Sequence, residues 1–188
     1  MKLLSSGILL FSLVHIFPCA MKDVRSSVVE KLGTNRYRGL FALLIALSLV
    51  MIVFGWKSAL PTALYSPPIQ AAILPSLLVL VAFILFVAAQ AHTNIKRLIR
   101  HPQLTGVITW GIAHLLTNGD SRSITLFGGL TLWAIIAMVL CSRRDGVWRK
   151  PDAVAFTSDF KIIVAGAIGF AVVLYAHQYL FGVSPIPQ

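Results

Sequence analysis

The sequence has few charged residues and very few acidic ones. Of its 188 residues, 12% are charged and 57% are hydrophobic, and the mean hydropathy is +0.85. A water-soluble globular domain carries about 25% charged residues, so this composition excludes one. Asp and Glu number 6 against 16 Lys and Arg, and Glu30 is the single glutamate. The composition indicates an all-α fold, a polytopic bundle of membrane helices.

Long hydrophilic segments, internal repeats and low-complexity tracts are also missing from the sequence. Each hydrophilic loop is shorter than about 20 residues, which is too short to fold a nucleotide-binding or nucleic-acid-binding module. Any chemistry must therefore take place between helices or at the membrane interface. We expect a single membrane domain over residues 1–188.

Cysteine is scarce as well. The chain has two cysteines, Cys19 and Cys141, and both lie in or beside apolar segments. Their spacing matches no metal-binding motif, and they indicate no disulfide scaffold.

What the sequence has instead is a series of apolar stretches. Most of them approach the roughly 20 residues that a spanning helix needs. The fourth is the shortest and, at about 1.5 Å per residue, covers only about 22 Å, so it is a short span, a tilted hairpin arm or a re-entrant element. The sequence predicts about six transmembrane helices, at 3–20, 39–56, 70–92, 103–117, 124–142 and 160–182.

The basic residues are concentrated in alternate loops. The loops 21–38, 93–102 and 143–159 are strongly basic, whereas the other loops hold only Lys57 and Arg122. The positive-inside rule makes the first set cytoplasmic, which predicts an inner-membrane protein with both termini periplasmic. The N-terminal segment has features of a cleaved signal peptide, but the basic loop after it favours a retained helix. The net charge of +10 thus reflects topology and does not indicate a nucleic-acid partner.

The histidines are the candidate site residues. Histidine inside a span is costly and marks a functional site or a hydrogen bond between helices. His101 and His114 are too far apart along one helix, about 20 Å, to share a metal ion. Predicted depth pairs His114 with His177, because His15 falls toward the cytoplasmic side. His92 and His101 flank a basic loop and are expected near the headgroups.

Two of these histidines follow an aromatic residue by one helical turn. Trp110 precedes His114, with a glycine beside it, and Phe11 precedes His15. A haem held between helices by two neutral imidazoles needs such aromatic walls and small residues. The alternative is that Trp110 and Phe11 only pack or face lipid.

Glycines predict two local features. Gly119 is expected to end a helix in the left-handed conformation, with Asp120 starting the next turn. Gly166, among alanines, should let the last helix approach a neighbouring helix closely.

Several motifs carry a family resemblance. They are Arg-His-Pro at 100–102, Trp-x-x-x-His at 110–114, Asn-Gly-Asp at 118–120, and a His at the end of the first helix followed by a charged loop. From the first helix through the fifth, the chain resembles the NnrU family of bacterial membrane proteins and their plant and cyanobacterial relative, zeta-carotene isomerase.

The resemblance implies a cofactor. It implies a b-type haem whose axial metal ligands are His15 and His114, and Trp110 is then expected to pack on the macrocycle. NnrU proteins are associated with denitrification, chiefly nitrite and nitric oxide reduction, so a respiratory or denitrification complex is an expected partner beside the lipid membrane. The isomerase has a cysteine where this chain has Gly111, so no sulfur chemistry is carried over.

Three other functions stay open. The protein could be a haem-dependent cis-trans isomerase of a polyene, or a cofactor-free accessory or assembly protein of a respiratory complex. Arg-His-Pro also occurs in membrane methyltransferases, but Leu104 and the lack of acidic residues disfavour a cationic methyl donor. The residues leave open whether the protein is an enzyme.

Overall fold

The computed structural model describes residues 1–67, 73–183 and 185, which are mostly α-helical. Five of the described helices are long and apolar enough to cross a membrane: α1, α3, α4, α7 and α8. The prediction of a polytopic all-α membrane protein is therefore confirmed. The helices are α1 (Lys2–Ala20), α2 (Lys22–Leu32), α3 (Thr34–Ser58), α4 (Ile73–Gln90), α5 (Ile95–Leu98), α6 (Pro102–Leu115), α7 (Ser121–Asp145) and α8 (Phe156–Phe181).

Two of the predicted segments differ from the helices observed. The segment 103–117 forms α6, a helix of 14 residues or about 21 Å, shorter than the other spans. The segment 70–92 forms α4 from residue 73 onward, and its residues 70–72 lie outside the part of the chain that the structure describes. The loop 21–38 is itself largely helical, because its polar sequence forms α2 and the first turn of α3.

The chain divides into two compact units. The first comprises Met1–Tyr65 and Gly119–Gly146, and the second comprises Ser66–Asn118 and Val147–Gln188. A single functional domain over residues 1–188 stays a prediction.

In the first unit, α1 packs against both α3 and α7. Within α7 the segment Ile124–Gly128 is a π-helix, and its Phe127 meets Trp56 of α3 edge-on at 6.2 Å between ring centroids. Single π-helical turns inside α-helices are frequent at functional sites.

One end of the first unit is closed by a disulfide. Cys19 in the last turn of α1 is bonded to Cys141 near the end of α7, with 5.0 Å between their Cα atoms. The interpretation that the two cysteines indicate no disulfide is therefore wrong. The basic segments that follow the two helices start at this same end, which we call the basic end.

The opposite end of the first unit is closed by backbone hydrogen bonds. The N–H groups of Leu64 and Tyr65 donate to the carbonyl of Gly119, and the N–H of Ser121 donates to Thr62. Asp120 caps α7 by accepting hydrogen bonds from two N–H groups of its first turn, as predicted.

The left-handed cap predicted at Gly119 is wrong. The positive-φ glycines of the described residues are Gly33, Gly146 and Gly182. Glycine is required at 119 for another reason, since a Cβ there would lie 2.0 Å from the carbonyl oxygen of Tyr65.

In the second unit, α4 packs against both α6 and α8. The contact with α8 is close at Gly166, where a Cβ would lie 2.7 Å from the Cα of Ile84. The predicted close approach at Gly166 is therefore confirmed. Without a hydrophobic driving force in lipid, such van der Waals contact is a main source of helix association.

A buried carboxylate joins the two parts of the second unit. Asp159, in the first turn of α8, accepts hydrogen bonds from the hydroxyl of Thr93 and from the backbone and side-chain N–H groups of Asn94. The Asn94 amide also exchanges two hydrogen bonds with the backbone of Val154. We call these four residues the Asp159 clasp; it fixes the start of α8 on the turn before α5.

Candidate cofactor site

His15 lies in an aromatic cluster contributed by all three long helices of the first unit. Its ring centroid is 4.1 Å from that of Phe11 on α1, 5.6 Å from Phe41 on α3 and 5.3 Å from Trp133 on α7. Phe11 also meets Trp133 edge-on at 5.0 Å. We call His15, Phe11, Phe41 and Trp133 the His15 cluster.

The orientation of the His15 ring is fixed by its own helix. Its Nδ1 lies 2.9 Å from the carbonyl oxygen of Phe11, one turn earlier. A carbonyl oxygen only accepts, so Nδ1 carries the hydrogen in this bond and the lone pair of the neutral ring is on Nε2. Histidines that ligate a metal commonly have this arrangement, with one nitrogen donating to a carbonyl and the other facing the metal.

Two polar hydrogens near His15 have no acceptor among the described residues. They belong to the indole Nε1 of Trp133 and the hydroxyl of Tyr37, and both atoms are buried. Tyr37 extends the cluster, because its ring centroid lies 6.5 Å from that of Phe41. A buried donor without an acceptor costs stability, so both groups favour a partner from outside the described residues.

His114 has the same local geometry in the second unit. Its Nδ1 lies 2.8 Å from the carbonyl oxygen of Trp110, and the two ring centroids are 4.9 Å apart at an angle of 51°. Its lone pair is therefore also on Nε2. The backbone carbonyl of His114 accepts hydrogen bonds from the N–H and the side-chain amide of Asn118 at the end of α6.

The Arg-His-Pro motif lies at the start of α6. Pro102 is buried at the first helical position, where its missing N–H costs nothing. Arg100 and His101 line an open groove of about 280 Å³, together with Lys96 and Gln103. This part of the motif therefore begins a helix and presents cations next to it.

The structure brings two of the predicted site residues together, and the third belongs to the other unit. Trp110 and His114 are in ring contact on α6 in the second unit, whereas His15 belongs to the first unit. Sequence reasoning found Phe11 beside His15 but missed Phe41 and Trp133. No sequence signal could have found these two, because they reach His15 from other helices.

Clusters of three or more potential metal ligands do not occur within the part of the chain that the structure describes. A haem needs at most two protein ligands, because the porphyrin supplies the other four nitrogens. Two neutral imidazoles that both carry the hydrogen on Nδ1, those of His15 and His114, fit that requirement.

The long apolar helices define a multi-pass integral membrane protein. Residues 3–185 match the family described as NnrU protein. The chain belongs to the NnrU family, over nearly its whole length. No curated protein and no solved structure matches it.

Proposed function

We propose that this NnrU family protein binds a b-type haem in the membrane through His15 and His114. One observation carries the proposal: both imidazoles donate from Nδ1 to a carbonyl one helical turn earlier, so that in each neutral ring the lone pair is on Nε2, as in histidines that ligate a metal. Trp110 contributes to binding through its contact with the His114 ring. When bound, such a haem supplies one-electron transfer or binding of a small gas.

The residues around His15 support an apolar ligand with polar edges. The His15 cluster makes the surroundings of the imidazole apolar, because three aromatic rings contact it and one of them, Trp133, is only 8% exposed. The buried donors of Trp133 and Tyr37 would be satisfied by acceptors such as the carboxylates of a haem.

We further propose that the haem protein acts with the membrane or periplasmic machinery of nitrite and nitric oxide reduction. This part is supported by membership of the NnrU family and by the presence of membrane helices, because respiratory electron transfer takes place in membranes.

The test is spectroscopic and uses the full-length protein, purified in detergent after expression with added haem precursor. We expect a Soret band, a pyridine haemochrome of b type, and a spectrum of six-coordinate low-spin iron. His15→Ala and His114→Ala should each abolish the low-spin spectrum or lower the haem content at least about tenfold, as loss of a metal ligand or its support does.

Two further variants serve as controls. His92→Ala removes an exposed histidine outside the cluster and should leave the spectrum unchanged. His177→Ala tests the pairing of His114 with His177: loss of the low-spin spectrum there, with His15→Ala unaffected, would contradict our ligand assignment. A protein without any Soret band that co-purifies with a reductase would favour the cofactor-free accessory function.

A further inference from the structure

The disulfide lies at the basic end of the first unit, not at the end closed by Gly119. Cys19 and Cys141 are both partly exposed, and each lies at or near the end of its helix. Their helices lead directly into the segments 21–38 and 143–159, which contain five and four Lys or Arg residues. By the positive-inside rule this end faces the cytoplasm.

A disulfide on the cytoplasmic side is unusual. Cellular dithiols keep cytosolic cysteines reduced, and the disulfides that do form there are mostly transient, catalytic or redox-sensing. The position of this pair therefore points to a bond that is made and broken.

A hydrogen bond joins the two helix ends next to the pair. The guanidinium of Arg144, three residues after Cys141, donates to the carbonyl of Pro18, which directly precedes Cys19. Arg144 also pairs with Asp145 at 2.7 Å, which balances its charge. The exchange therefore depends on access to the two sulfurs and on the thiolate of the attacking partner.

We propose that Cys19 and Cys141 form a reversible thiol-disulfide site that exchanges with a dithiol protein of the cytoplasm. In the reductive direction, a thiolate of the partner attacks one sulfur of the pair, the Cys19–Cys141 bond breaks, and a mixed disulfide forms. The second partner thiol then resolves it. Two electrons and two protons pass to Cys19 and Cys141, and the partner leaves as a disulfide; the reverse sequence reoxidises the pair.

The bond also joins the two helices that form most of the His15 cluster. Cys19 follows His15 by one turn on α1, and Cys141 follows Trp133 by two turns on α7. Breaking the bond frees these helix ends from each other. The redox state of the pair therefore controls how firmly Trp133 is held against His15.

The test uses the wild-type chain in native membranes. Cells are quenched with acid, and the free thiols are labelled with a maleimide that adds a measurable mass. We expect a reduced fraction with two labels per chain, which falls after diamide treatment and is restored when thioredoxin, kept in its dithiol form by thioredoxin reductase and NADPH, is added to inside-out vesicles. A membrane-impermeant maleimide should label the reduced pair in inside-out vesicles and not in right-side-out vesicles.

Tryptophan fluorescence provides a readout that does not depend on haem. Reduction of the purified protein should shift the emission, and the shift should be lost in Trp133→Phe and kept in Trp148→Phe. The double variant Cys19→Ser with Cys141→Ser should resemble the reduced wild type. A pair that stays fully oxidised in cells and resists thioredoxin, or that is labelled only in right-side-out vesicles, would overturn the proposal.

Discussion

The two units hold similar histidines by different means. In the first unit, His15 is surrounded by aromatic rings from three helices, and a disulfide ties two of those helices together. In the second, the ring of His114 contacts Trp110 on its own helix, and the unit is fastened by the Asp159 clasp and the close contact at Gly166. The imidazole geometry is thus a property of one helix, whereas its surroundings depend on tertiary packing.

The largest effect should come from the clasp of the second unit. Asp159→Ala leaves the buried donors of Thr93 and Asn94 without their acceptor, so we expect the thermal midpoint in detergent to fall by roughly 8 °C. Asp152→Ala, which changes an exposed carboxylate of the preceding loop, is the matched control. Equal midpoints for the two variants would show that the clasp does not stabilise the unit.

Next in size is the aromatic wall of the first unit. Trp133→Ala removes a ring that is 8% exposed and packed against Phe11 and His15, and we expect a fall of roughly 6 °C. Trp110→Ala, at the half-buried ring beside His114, should cost less than half of that. If the Trp110 variant were the less stable one, our contrast between the two histidine environments would be wrong.

The helix contact at Gly166 should give an intermediate effect. Gly166→Ala places a methyl group 2.7 Å from the backbone of Ile84, which cannot move aside, so we expect the thermal midpoint to fall by roughly 4 °C. Gly169→Ala meets only the side chain of Phe83, at 3.3 Å, and should change the midpoint by about 1 °C or less. Unfolding curves of the two variants, measured side by side, decide the point.

The smallest effect is expected from the cation–π contacts, of which one in each unit is compared. The guanidinium of Arg122 lies 4.5 Å from the ring of Trp56 in the first unit, and the ammonium of Lys150 lies 5.5 Å from Trp148 in the second. We expect Arg122→Gln to lower the midpoint by about 2 °C and Lys150→Gln to leave it unchanged, because the closer and less exposed pair interacts more strongly. A larger loss for Lys150→Gln would contradict this order.

The sequence predicted the membrane class, most of the spans and the aromatic residue before each candidate ligand, because these depend on local composition and helical spacing. The predicted segments 3–20, 124–142 and 160–182 lie within or close to α1, α7 and α8. It missed α2, because a polar segment was treated as a connection although its residues favour a helix.

Features that depend on distant partners could not be predicted. Cys19 and Cys141 are separated by 122 residues in the sequence. In the Asp159 clasp, Asn94 and Thr93 precede Asp159 by 65 and 66 residues. Gly119 shows the same limitation on a smaller scale: an Asn-Gly-Asp sequence favours a left-handed cap, but the neighbouring backbone of Tyr65 is what excludes a side chain. Only knowledge of which chain segments meet would have revealed these three.

The N–H of Tyr65 donates a hydrogen bond to the carbonyl of Gly119. The chain therefore leaves the first unit at residue 65 and re-enters it at residue 119, next to the point where it left. Genetically, such a segment can be cut out by joining two residues that already touch. A shortened gene that joins residue 65 to residue 119 and ends after Gly146 would retain α1, α3 and α7 with the His15 cluster and the cysteine bond, and would allow a test of what the second unit adds.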